Sequence, residues 1–268
     1  MPYVAVSTGI ETFYERTGSG PPLLMIMGTG LDHSCWDAQV QGYSHYYDCI
    51  CFDNRGTGRT KAPEGSLTTD LLARDAIGLL DSLGIDKAHV SGLSLGSCIA
   101  QELVLARPDR VRTLQLHGTW GRAHGYAARK FKAQIRLLEM LDLKSFYEIN
   151  VLWFLTPEFM HRHPDRVRAQ IVSIVAAAPS KQGLIAQYRA DLEHDALDRL
   201  RQIQVPTLVT VGTFDVAVPP FYAEEVARTI PEAELVCFPG GGHLHNMEHP
   251  EDFNQATLAF LQRHSADP

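Results

Sequence analysis

Apolar residues along this chain gather into short runs bounded by glycine, proline, aspartate and asparagine. Eight runs have strand character: Val4 to Val6, Thr12 to Arg16, Leu23 to Met27, Cys49 to Phe52, His89 to Ser91, Leu114 to His117, Leu208 to Val211 and Leu235 to Phe238. From the third onward they are nearly continuous in apolar residues, the pattern of strands covered on both faces. The stretches between them repeat every three to four residues instead. Residues 67–83 place Leu71, Leu72, Ile77, Leu79, Leu80 and Leu83 at amphipathic helical spacing, with Gly84 as a C-terminal stop. Ser94 to Ala106 and Phe253 to Gln262 follow the same rule. Strand and helix in alternation predict a parallel sheet with right-handed crossovers, led by an antiparallel pair of runs at the front.

That rhythm stops after residue 118. From Gly121 to Leu200 only helical patterns occur, among them Lys130 to Leu141 and Arg166 to Ala178, with aromatic residues at Phe146, Tyr147, Trp153, Phe154 and Phe159. A block of helices between two strands, with no repeat or low-complexity tract, implies an inserted cap and not a separate domain. The expected class is therefore α/β: a mostly parallel, doubly wound, eight-stranded sheet formed by residues 1–120 and 201–268, with a helical cap at 121–200.

Composition narrows the partners. The 268 residues are 45% hydrophobic and carry a formal net charge of −7, enough apolar material for a full core and a mildly acidic surface. With no block of like charge, neither nucleic acid nor an anionic membrane is an expected partner. The five cysteines (Cys35, Cys49, Cys51, Cys98, Cys237) are scattered and contain no C-x-x-C pair, which suits buried free thiols in a reducing compartment. The first residues lack a basic segment followed by an apolar core, and no apolar run approaches the roughly 18 residues of a membrane span, so a cytoplasmic protein is expected.

The candidate chemistry centres on Gly92-Leu93-Ser94-Leu95-Gly96, at the junction of a strand and a helix. In that context G-x-S-x-G is a sharp turn that pushes one hydroxyl out of the fold, with glycines where a side chain would collide. Ser94 would then stand at a helix N-terminus, where the Leu95 amide favours an oxyanion. A serine hydroxyl is a poor nucleophile without a base, and the base needs an orienting acid. Asp215 follows the run "TLVTVG", and His243 follows three glycines after "ELVCF". His245 and His249 are alternative bases, but His243, directly behind the glycines, has the freedom to reach over the sheet. The loop Met27-Gly28-Thr29-Gly30 offers the Thr29 amide as the second oxyanion donor. His161 and His163 lack a third ligand at metal-binding spacing, so no metal and no cofactor are expected.

These pieces, in this order, resemble the α/β-hydrolase superfamily. The segment Asp53 to Thr60, "DNRGTGRT", is similar to the family's D-x-R-G-x-G-x-S turn, which is structural there. The tail "GGGHLHNMEHPEDF" is similar to its histidine loop, with His243, Glu248 and Pro250 on the usual positions. Within the superfamily "GTGLDHSCWDAQV" looks most like the 3-oxoadipate enol-lactonases, and the tail and cap look closer to the aminoacrylate or carbamate hydrolases. Met27 and Leu93 stand where the family often has histidine, changing the pocket wall without removing a catalytic atom. The resemblance implies a cofactor-free serine hydrolase of a small ester, lactone or related acyl or carbamate compound, working as a monomer or homodimer. The cap should set specificity, with Trp120, Trp153, Phe154, Phe159 and Met160 facing Met27 and Leu93, and with Arg122 and Arg129 as candidates for a substrate carboxylate. Alternatives on the same fold are a carbon–carbon bond hydrolase of vinylogous diketones, a perhydrolase and a slow-turnover ligand receptor.

Overall fold

A computed structural model describes residues 2–63 and 65–265. Its centre is one sheet of eight strands: β1 (Tyr3–Ala5), β2 (Glu11–Thr17), β3 (Pro22–Ile26), β4 (Asp48–Phe52), β5 (Ala88–Leu93), β6 (Val111–His117), β7 (Thr207–Gly212) and β8 (Glu234–Phe238). They lie in the order β1-β2-β4-β3-β5-β6-β7-β8. β1–β2 and β2–β4 are antiparallel, and every later pair is parallel. Each of the eight expected runs is a strand.

Among the described residues eleven α-helices accompany the sheet: α1 (Asp37–Tyr43), α2 (Thr69–Ser82), α3 (Leu95–Ala106), α4 (Gly125–Met140), α5 (Leu143–Phe154), α6 (Pro157–Arg162), α7 (Pro164–Ala177), α8 (Lys181–Glu193), α9 (Pro220–Thr229), α10 (His245–Glu248) and α11 (Pro250–Arg263). Helices α4 to α8 all fall between β6 and β7. Among the described residues, no helix is long and apolar enough to cross a membrane.

The period-two alternation of strand side chains divides the sheet's apolar residues between two cores. Leu24, Ile26, Ile50, Val90, Leu114 and Val209 pack with Leu72 and Leu79 of α2, Ile99 and Leu103 of α3 and Val226 of α9. Their immediate neighbours Leu23, Met25, Cys49 and Cys51 point the other way, onto Tyr43 of α1 and Phe253 and Leu261 of α11. A third cluster joins the inserted helices to the sheet domain, with Phe131, Phe146, Leu184 and Tyr188 against Cys98, Val218 and Tyr222.

One strand departs from the expectation of cover on both faces. In β8 only Phe238 is fully buried, and Leu235 is 38% exposed. It is the outermost strand of the order, with β7 as its only partner in the sheet, so helix cover thins out there. Cys237 on this strand is accordingly exposed, contrary to the buried thiol expected, and Cys35 is half-buried, whereas Cys49, Cys51 and Cys98 are buried. Burial pushes the Cys49 thiol up to about 12, far from a reactive thiolate.

The core also contains histidines. His117 links Ser91 Oγ (3.0 Å) to Thr210 Oγ1 (2.7 Å), and Thr210 in turn meets Nε2 of His245 (2.8 Å). His194 sits between Thr69 Oγ1 (3.1 Å) and Gln101 Oε1 (3.0 Å). Burial, with a smaller contribution from Arg199, lowers the His194 pKa from 6.5 to about 3. The unfolded chain therefore takes up a proton below pH 6.5 that the folded chain refuses, and stability is lost as the pH falls toward the folded value. In urea unfolding, wild type should lose about 1.4 kcal/mol per pH unit relative to His194→Gln between pH 6 and pH 4. A constant difference between the two proteins across that range would show that His194 is not held neutral.

Candidate active site

Ser94 occupies the single residue between β5 and α3 with φ 55° and ψ −123°, a strained conformation for a residue with a side chain. Close packing on both sides holds it there. A Cβ at Gly92 would run into the Gly96 carbonyl, and a Cβ at Gly96 would run into the Ile26 carbonyl of β3, so the helix start is pressed against two strands. The Ser94 N–H donates to His117 O (2.9 Å), while its carbonyl accepts from Ser97 Oγ (2.6 Å) and Ser97 N (2.8 Å). The side chain is left at the N-terminus of a 12-residue helix and makes no capping bond.

The loops after β7 and β8 bring in the other two groups. Asp215 Oδ2 lies 2.7 Å from Nδ1 of His243, and its Oδ1 accepts from Ala217 N (2.9 Å) and Val218 N (2.7 Å). Both side chains are almost wholly buried. With Nδ1 committed to the carboxylate, the free edge of the ring is Nε2, which is buried and lacks a hydrogen-bond partner. The Ser94 hydroxyl is therefore not hydrogen-bonded to it here, as is common before substrate tightens such a site. Both residues abut the same peptide: Ser94 bonds to His117 O, and a Cβ on the next residue, Gly118, would lie 3.0 Å from His243 Cε1.

His245, the alternative base, is occupied elsewhere. Its Nε2 meets Thr210, its Nδ1 faces His243 O (3.2 Å), and burial lowers its pKa to about 4. His249 is half-buried at the start of α11. The histidine loop is fastened by Glu248, whose carboxylate accepts from Gly242 N (2.6 Å) and Thr156 N (2.6 Å). Leu244 N adds a bond to Phe154 O (3.1 Å), and the Phe154 ring stacks on His243 with centroids 5.5 Å apart.

The loop after β3 approaches from the opposite side, where a Cβ at Gly28 would lie 2.9 Å from Ser94 Cβ. Among the described residues the amides of Thr29 and Leu95 donate no hydrogen bond. Their neighbours are held by the inserted helices: Thr29 Oγ1 donates to Asp191 Oδ2 (2.7 Å), Gly30 N to Gln187 Oε1 (2.8 Å) and Tyr147 OH to Gly30 O (3.2 Å). Sequence reasoning missed these fasteners. The available signal was the placement of polar residues on helical stripes otherwise apolar, as with Gln187 and Asp191 beside Leu184, Tyr188 and Ala190.

The apolar candidates separate in the structure. Met27, Leu93, Phe154 and Phe159 are buried in one cluster, with Trp153 and Met160 packed against it, whereas Trp120 packs on Phe131 (5.2 Å) in the cluster that joins the inserted helices to the sheet domain. A cavity of about 20 Å³ lies beside Phe154 and Leu244, walled by Leu31, Val151, Leu155 and Ile174, so an acyl chain enters only if these walls move. A larger groove, about 550 Å³, runs between Arg55–Leu67 and Ala178–Arg189, and no triad candidate lines it. Arg122 is tied to Asp195 (2.8 Å) and Asp198 (2.6 Å), and Arg129 is exposed, which leaves neither facing the site.

The Asp53–Thr60 turn is knitted together structurally. Asp53 accepts from His33 N (2.9 Å) and Arg59 N (2.7 Å), and Arg55 forms a buried pair with Asp75 through Nε (2.8 Å) and a terminal nitrogen (2.6 Å). Asp32, His33 and Asp53 form the one grouping, among the described residues, compact enough to offer three metal ligands. Asp53 also meets His33 Nδ1 (2.7 Å) and Asp32 caps Ser34 N (3.1 Å), so these atoms are engaged in holding the turn. His161 and His163 are exposed at the C-terminal end of α6.

Residues 21–250 match the model of the alpha/beta hydrolase fold family, and the chain belongs to that family. A putative carbamate hydrolase (RutD) of Azorhizobium caulinodans is 30% identical over 97% of this chain and 98% of its own length. The enol-lactonase of Burkholderia xenovorans has a structure matching with a TM-score of 0.90 at 27% identity, over 97% of this chain and all of its own. A thermophilic esterase of Thermogutta terrifontis, solved with malate bound, matches with a TM-score of 0.89 at 29% identity, over 99% and 100% of the two chains. The protein is thus a hydrolase of the α/β class.

Replacing Glu248 by Ala removes two charge-assisted bonds to buried backbone amides, and urea unfolding should show a loss of about 2–4 kcal/mol. A loss under about 0.5 kcal/mol would mean that the histidine loop holds its place without this carboxylate.

Proposed function

We propose that this chain is a serine hydrolase of small, partly apolar carboxylic esters or lactones, with Ser94 as nucleophile, His243 as general base and acid, and Asp215 as the orienting acid. The observation that carries this reading is the His243 ring, pinned at Nδ1 by Asp215 and unpartnered at Nε2, beside a serine held at φ 55°. In the first step Nε2 takes the Ser94 proton as Oγ attacks the substrate carbonyl. The amides of Leu95 and Thr29 stabilise the tetrahedral oxyanion. His243 then returns the proton to the leaving alcohol or enol. Water, deprotonated by the same nitrogen, cleaves the acyl-enzyme and releases the acid. No step calls for a cofactor. The likeness to an enol-lactonase and an esterase supports this substrate class.

A carbamate substrate is the second reading, favoured by the 30% identity to the carbamate hydrolase relative. It would use the same groups, with carbamate in place of ester. Assaying p-nitrophenyl esters, lactones and carbamates side by side decides between them, and turnover of carbamates alone would displace the ester reading.

Ser94→Ala should remain folded, lose roughly 10⁴-fold or more in kcat and no longer label with a fluorophosphonate. Labelling that persists in this variant would remove Ser94 from the mechanism. Asp215→Asn should lower kcat on the order of 10⁴-fold by favouring the wrong imidazole tautomer.

A further inference from the structure

Helix α4 turns Ala127, Lys130, Phe131, Gln134 and Leu138 into the protein. On that stripe Lys130 is anomalous, because it is only 6% exposed and, among the described residues, its ammonium forms no hydrogen bond or ion pair. Its Nζ lies 4.1 Å from the Phe131 ring centroid, a contact that offsets only part of the cost of removing the charge from water. The turn that carries it is fixed above the loop following β7: Tyr126 OH donates to Val216 O (2.7 Å) and Ala127 N to Tyr222 OH (3.0 Å).

The carboxylates that act on Lys130 are those of Asp191 and Asp215. One is fastened to the Thr29 loop, and the other holds His243, so the Lys130 charge acts on two residues that position the candidate site. Among the described residues neither forms a direct ion pair with it. Asp215 already accepts three hydrogen bonds. Asp191 gives Oδ2 to Thr29, its Oδ1 has no partner, and burial raises its pKa to about 7, toward the neutral acid. The same burial lowers Lys130 to about 8, which leaves it mostly protonated at neutral pH.

A buried ammonium that, among the described residues, has no direct acceptor can take an anion as its partner. We propose that Lys130 binds a carboxylate on the substrate, so that the natural substrate is an acyl compound with an anionic far end. This inference rests on the hydrolase reading of Ser94 and names the substrate class within it. Arg122, a candidate for this part, is paired with Asp195 and Asp198, and Arg129, the other, is exposed, which leaves Lys130 for it.

The test compares 4-nitrophenyl hydrogen adipate with 4-nitrophenyl hexanoate, esters of equal acyl length that differ in the terminal carboxylate. Wild type should favour the adipate in kcat/KM. Lys130→Met should lower that preference at least tenfold, mainly through KM, with Lys130→Arg restoring most of it. A smaller change in Lys130→Met, or wild type that favours the hexanoate, overturns the proposal. Calorimetric titration with adipate separates this outcome from failure of the mechanism. Ser94→Ala should bind adipate, and Ser94→Ala with Lys130→Met should bind it at least tenfold more weakly; equal binding overturns the anion site. If adipate binding depends on Lys130 yet wild type hydrolyses neither ester, the anion site stands and the hydrolase reading falls. Lys130→Gln serves for every comparison if the methionine variant does not fold.

Discussion

The structure depends on how closely the first turn of α3 approaches the sheet. At Gly92 and Gly96 no side chain can be accommodated, because the backbones of β3, β5 and α3 occupy the space a Cβ would need. That contact holds Ser94 in a conformation it would not adopt alone. Packing around the junction, with Leu95, Ile99 and Leu103 buried against strands β3 to β6, supplies the restraint. The strain is thus maintained by a large apolar core and expressed at one residue.

The remaining groups of the site reach Ser94 through loops, and loops need fastening. Asp215 is held by two amides of its own loop, while His243 is held by Asp215, by Phe154 stacking and by the Glu248 bonds that clamp its loop to Thr156. The loop at Thr29 is held from the inserted helices by Asp191, Gln187 and Tyr147. The helices between β6 and β7 therefore help to position the loops of the candidate site. A shift of α8 would move the Thr29 loop with it.

Burial sets the electrostatics. His117, His194 and His245 are driven toward neutrality, the thiols of Cys49, Cys51 and Cys98 are kept protonated, and Lys130 and Asp191 are pushed toward their uncharged forms from opposite directions. Buried imidazoles are satisfied by hydroxyl partners at Thr69, Thr113 and Thr210. Among the described residues Lys130 has no such partner, unlike these imidazoles.

Sequence by itself determined the eight strands, the helices that alternate with them, the helical excursion after β6 and the candidate residues Ser94, Asp215 and His243. These were legible because they rest on local causes: hydrophobic periodicity, glycine at sharp turns, and polar residues placed just past strand ends. It left His243 and His245 as rivals, since both follow the same glycines, and only packing assigns one to Asp215 and the other to Thr210. Nor did it reveal the exposure of β8, which follows from position at the sheet edge. The fasteners Asp191 and Gln187 lie more than 150 residues from the loop they hold, and Arg129 and Lys130 are adjacent in the chain yet opposite in burial. Such facts belong to tertiary structure alone, because the free energy of a charge or a hydrogen-bonding group is set by what surrounds it in space and not by its neighbours in sequence.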